Sequence, residues 1–174
     1  MLKRFCTALT FLGSSVIAQT PAPDVWQMAF DGDLAGLEQA FATAHAEIVS
    51  GEAQPQSVRK LMTELMVTHP VVLQTAQNWL AEYPQSPYAL TAVGFQMQHI
   101  GWVVRGDGMA HEVHPEAMAV MQDFHHEGYA HMQEAYAIAP DFLPAADGMI
   151  TLNRTLGILS KDDVQAIAEK TLSS

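Results

Sequence analysis

Apolar residues recur three and four apart along most of this chain, and proline and glycine cut the pattern into pieces of helical length. No stretch alternates apolar and polar positions long enough to suggest a strand. Behind Asp31-Gly32-Asp33, which offers caps, Leu34, Leu37, Phe41, Ala44 and Ile48 form one stripe that Gly51 closes. Ser57 opens a second predicted helix with Val58, Leu61, Met62, Leu65 and Met66 inward, and it stops before Pro70. Thr68 is placed to cap a third, whose inward residues run from Val72 and Leu73 through Ala76, Trp79 and Leu80 to Tyr83. Ser86-Pro87 then joins a cap to a proline whose missing N–H costs nothing in a first turn. That fourth helix runs through Leu90, Val93, Met97 and Ile100 towards Trp102. After the loop Arg105-Gly106-Asp107-Gly108, Pro115 starts the longest helix, with Met118, Met121, Phe124, Gly128, Met132 and Ala135 inward and Pro140 as its stop. Pro144 starts a sixth, and Ser160 with Asp163 makes a capping-box-like start for a last short one. The pattern predicts an all-α protein of six to seven helices, whose short turns make antiparallel hairpins in a bundle or α-solenoid.

The first eighteen residues break this pattern. Lys3 and Arg4 lead an uncharged run from Phe5 to Ala18 that ends in Val16-Ile17-Ala18, the three-part form of a secretory signal. The run is about 14 residues, short of the ~20 that a membrane-spanning helix needs. The expected plan is a signal peptide over 1–18 cleaved after Ala18, a linker over 19–29, and one helical domain over 30–174. The mature protein would be periplasmic or secreted, with no stable membrane span. Cleavage removes Cys6, the one cysteine, so no disulfide or thiol chemistry is expected. It also leaves six basic residues against all 19 acidic ones, a net charge of −13. Such a balance argues against nucleic-acid or anionic-membrane binding, which need basic patches.

Tetratricopeptide repeats are helical hairpins of about 34 residues with small residues at the helix crossing and a proline after the second helix. The stretch from Gly128 to Pro140 has this cadence, with Gly128 and Ala135 as small residues and Pro140 as the terminal proline. Trp79 to Ala89 repeats it less well, because Trp79 stands where a small residue belongs. Between the two lies Gly101-Trp102-Val103-Val104-Arg105-Gly106. This small–Trp–x–x–Arg–Gly core, preceded by Tyr83-Pro84-Gln85-Ser86 and followed by Ala135 to Pro140, resembles the bacterial family called domain of unknown function 4034. The likeness covers roughly residues 30 to 157. It implies a helical, tetratricopeptide-like fold and no particular activity.

Candidate chemistry is sparse. Trp102, Arg105 and Gly106 are candidate binding residues: a guanidinium at the mouth of a glycine loop can hold a carboxylate or phosphate bidentately. The more routine role for Arg105 is to cap carbonyls at the end of its helix or to pair with Asp107 or a glutamate on the next helix. His111, His114, His125 and His126 are weaker candidates for a metal site. With His131 and the nearby methionines they would suit copper, or zinc if Glu112 or Glu127 joined them. The His-Glu-x-x-His pattern is absent, as are a phosphate-binding P-loop and a Gly-x-Ser-x-Gly elbow. Glu38, Glu47, Glu64 and Glu134 read as solvated. The leading expectation is therefore a non-enzymatic module that binds a protein or peptide partner and needs no cofactor. The alternative is a periplasmic binder of copper, zinc or a small anion, using the His111–His131 region and Arg105.

Overall fold

A computed structural model describes residues 23–173, with side chains to Thr171. The described residues form eight helices and no strand. In chain order they are α1 (Val25–Asp31), α2 (Leu34–Val49), α3 (Gln56–Glu64), α4 (Pro70–Glu82), α5 (Pro87–Arg105), α6 (Pro115–Ile138), α7 (Leu143–Leu156) and α8 (Lys161–Ser173). The expected all-α class is what the chain adopts. The signal-peptide reading of 1–18 lies outside the described residues.

The first correction is to the linker. Residues 25–29, assigned to it, begin a helix. Asp24 caps α1 by accepting from the Gln27 N–H at 2.9 Å, and Val25 and Ala29 are buried in the core. Gly32, at φ +68°, turns the chain out of α1 in the left-handed conformation. One helix of seven residues is too short to display the 3.6-residue period that marks the others. It raises the count from six or seven to eight.

Capping elsewhere follows backbone chemistry closely. Asp33 accepts from Gly36 N–H and Ser86 from Ala89 N–H, while Ser160 and Asp163 exchange bonds as a capping box. Two helices start differently from expectation. The residue before a proline is held extended, so His69 and not Thr68 caps α4, its Nδ1 accepting from Val71 N–H at 3.3 Å. His114 begins α6 in the same way, accepting from Glu116 N–H at 3.4 Å. Ser57 does not cap α3; its hydroxyl donates backwards to the Gln54 carbonyl.

The centre of the molecule is α5. It is buried almost continuously from Ala89 to Gln98, as befits a helix with neighbours on all sides. Its longest contact is the antiparallel hairpin with α6, and it also meets α4, α7 and α2. The hairpin closes on glycines. A Cβ on Gly128 would stand 2.8 Å from the Gly94 carbonyl oxygen, and one on Gly94 would stand 2.8 Å from Met132. Only two bare backbones permit that approach. Beside the seam, Phe41, Trp79, Tyr88 and Phe142 pack ring against ring and join α2, α4 and α5 to the α6–α7 turn.

Candidate functional site

The Trp102–Arg105–Gly106 segment closes α5. Gly101 lies against the His125 ring, where a Cβ would come within 2.7 Å of it. The Trp102 and His125 ring centres lie 5.1 Å apart in an edge-to-face arrangement, and the Arg105 guanidinium lies 5.6 Å from the centre of Trp102. Arg105 Nη1 also donates to the Gly106 carbonyl at 2.9 Å. Gly106, at φ +75°, supplies the turn. The three residues are therefore neighbours, stacked from the core outward, and Trp102 remains 41% exposed. Arg105 meets neither Asp107 nor a glutamate among the described residues; it covers an indole and caps a carbonyl.

His125 departs furthest from its expected role. It is fully buried, on the same stripe of α6 as Met121, Gly128 and Met132. Its Nε2 lies 3.2 Å from the Gln98 carbonyl, which can only accept, so Nε2 carries the proton. Nδ1 of the neutral ring lies 2.9 Å from the Thr155 hydroxyl, whose one proton is shared between that nitrogen and the Leu152 carbonyl, also at 2.9 Å. Burial holds His125 below the ordinary histidine range, against the bond to Gln98, with the His126 charge adding a smaller push downward. Both nitrogens are spent on α5 and α7, so His125 is not free to be a metal ligand. His111 and His126 are exposed, and His114 is engaged as a helix cap. Among the described residues no three His, Cys, Asp or Glu side chains converge as a metal site would require.

A concavity exists elsewhere. α3, α5 and α7 enclose a cleft of about 190 Å³. Met62, Met66 and Phe95 give it apolar walls, and Arg59 and Asp147 pair across its mouth at 2.9 Å. Gln98 lines it. This side chain is more than nine-tenths buried, and its Oε1 has no hydrogen-bond partner. An unpaired amide oxygen in such surroundings costs on the order of 1–3 kcal/mol, and few native groups are left so. Helix α5 therefore holds the His125 ring with the Gln98 main chain, while the Gln98 side chain lies at the cleft with its Oε1 sealed from solvent.

A second groove, wider and open, is lined by Glu38, Glu82, Tyr83 and Tyr88. Glu38 is not solvated as its place in the sequence suggests. One of its oxygens accepts from buried Trp79 Nε1 and from the Ser86 hydroxyl, both at 2.7 Å, tying α2 to α4 and to the start of α5. Farther in, His45 approaches the Tyr88 hydroxyl at 3.2 Å and Asp141 at 3.4 Å. Burial first, then the Glu38 and Asp141 charges, push the Tyr88 phenol up. The arrangement reads as a set of struts, with the buried His45 Nε2 near Asp141 but making no hydrogen bond.

Fold and site together define an all-helical protein organised on one long hairpin, with a small half-polar cleft beside it. The family of the domain of unknown function DUF4034 matches residues 27–159, most of the chain, and the protein belongs to that family. No curated protein and no solved structure matches it significantly.

Proposed function

We propose that the protein is exported and acts as a non-enzymatic helical-repeat module, binding a protein or peptide partner on the face where α3, α5 and α7 meet. One observation carries the reading: α3, α5 and α7, from separate parts of the chain, line a common cleft with apolar walls. Repeat proteins bind through concave surfaces built from corresponding helices. The region of His111 to His131 with Arg105, the alternative binding region, gains less support, since His125 and His114 are engaged internally and Arg105 lies on Trp102.

Export is tested by the N-terminal sequence of the protein from a periplasmic or culture fraction, which should start at Gln19. An intact Met1 in that protein would overturn it. Binding is tested by chemical cross-linking of the mature chain in envelope extract. One partner should be captured reproducibly, through residues of α3 or α7, and lost when Thr151→Trp fills the cleft. Cross-links spread evenly over the surface, unchanged by that variant, would sink the reading.

A further inference from the structure

We propose that His125 is a proton-operated latch: when its buried ring takes up a proton, the Trp102–Arg105 cover at the end of α5 swings off it and admits water, while the rest of the fold stays closed. Such a latch needs no partner, so it stands apart from the binding-module reading.

The walls around the ring differ in strength. Gly101 lies so close that a Cβ there would stand 2.7 Å from the ring, and the Gln98 carbonyl accepts from Nε2. Both are backbone of α5 and cannot turn aside. Thr155 closes the α7 side from Nδ1. Trp102 is the weak wall. It sits in the last turn of α5 and is 41% exposed although the His125 ring it covers is fully buried. On the indole lies the Arg105 guanidinium, which also donates to the Gly106 carbonyl at the helix end. The glycine seam at Gly94 and Gly128 begins about two turns of α5 farther in, so an opening at Trp102 can remain local.

Hydrogen bonding does not oppose the proton. It would enter at Nδ1 and donate to the Thr155 oxygen, while the Thr155 hydroxyl gives its own proton wholly to the Leu152 carbonyl. What opposes the proton is burial first, with the His126 charge on α6 adding to it. From α5 the Arg105 cation stands one indole ring away, and α7 presents the neutral Thr155. Among the described residues no carboxylate pairs with the ring. An imidazolium in this place therefore lacks a counter-charge, and water is the stabiliser left to it. An exposed cation–π contact is weak against the cost of an unhydrated charge, so the Trp102 side gives way first. Arg105 leaves with the indole, since like charges repel across it.

The test is fluorine NMR of the protein labelled with 5-fluorotryptophan, titrated from pH 7.5 to about 4.5. Its three tryptophans give three lines, and the Trp102 line is the one lost in Trp102→Phe. The expected result is that this line moves towards the position of free 5-fluorotryptophan below pH 6.5, while the line of buried Trp79 holds still. Nitrogen NMR of the imidazoles should show His125 protonated on Nε2 at pH 7.5 and gaining its second proton with the same midpoint. Arg105→Gln, which removes the like charge and loosens the cover, should move that midpoint to higher pH. His125→Gln should leave the Trp102 line independent of pH, with circular dichroism establishing that the variant is folded. Should that variant fail to fold, the match between the two midpoints in the unaltered protein decides the matter alone. Trp102 and Trp79 moving together would show ordinary acid unfolding and overturn the latch. So would a Trp102 line that still titrates in folded His125→Gln, or one that stays fixed while His125 takes up its proton.

Discussion

The two sides of α5 are built on opposite rules. Towards α6 it presents Gly94 and Gly101, and the partner helix comes so close that a single methyl group would collide with backbone or ring. Every polar atom of His125 on that side has a partner. Towards α3 and α7 the same helix leaves a space of about 190 Å³ and a buried amide oxygen with nothing to bind. The sealed side also carries the Trp102–Arg105–Gly106 segment that stands out in the sequence. The lesson is that a sequence signature can mark where a helix is closed and capped, while the open surface sits on the opposite face without one.

The sharpest way to break this contrast is to force the sealed side open. Gly128→Val should cost about 3 kcal/mol or more in urea denaturation, because Gly94 is backbone and cannot move aside as a flexible side chain would. A loss under 1 kcal/mol would mean the two helices separate easily. Next in size is His125→Ala, expected to cost about 2–3 kcal/mol through the cavity and the lost bonds to Gln98 and Thr155. The same residue gives a pH dependence. Its folded pKa lies below the ordinary value of 6.5. Above pH 6.5 the ring is neutral folded and unfolded, and its contribution to stability is whole. As pH falls through 6.5 the unfolded ring takes up a proton that the folded ring resists, so stability declines. Thermal melts of wild type and His125→Gln between pH 7.5 and about 5 should diverge in slope, with the variant flatter.

On the open side the sign reverses. Gln98→Leu should leave the fold unharmed or raise its stability by about 1 kcal/mol, since it removes a buried acceptor that nothing satisfies. A loss of more than 2 kcal/mol there would show that Gln98 is a structural strut and erase the distinction between the two faces. The smallest effect belongs to Arg105→Ala, about 0.5 kcal/mol, because its contact with Trp102 is at the surface and its carbonyl bond is local.

Much of the architecture was written in local signals. Asp33, Ser86 and the Ser160–Asp163 pair announce helix starts because a side-chain oxygen and an N–H three residues on are neighbours in sequence as in space. The apolar stripes and terminal prolines did the same for helix faces and ends. The features that escaped depend on distance along the chain. Glu38 looks like any exposed glutamate until Trp79 and Ser86, more than forty residues on, are brought to it. His125 carried a usable hint: it falls four after Met121 and three before Gly128, squarely on the buried stripe. Its proximity to His126 and His111 drew attention to metal chemistry instead. Gln98 carried no hint, because α5 is enclosed on nearly every face and periodicity cannot say which polar residue borders a cleft.

The geometry of α5 also orders events in time. The α5–α6 seam joins consecutive helices across one turn from Gly106 to His114, so it can close early, with little chain to bring together. The cleft waits for α3 and α7, which are far apart in sequence and meet at its mouth through the Arg59–Asp147 pair in water. A surface pair of this kind adds at most about 1 kcal/mol. The cleft should be the last part of the domain to assemble and the first to breathe. Amide hydrogens of α3 should exchange with solvent long before those of the α5–α6 seam, and a partner segment would enter by catching that opening instead of forcing one.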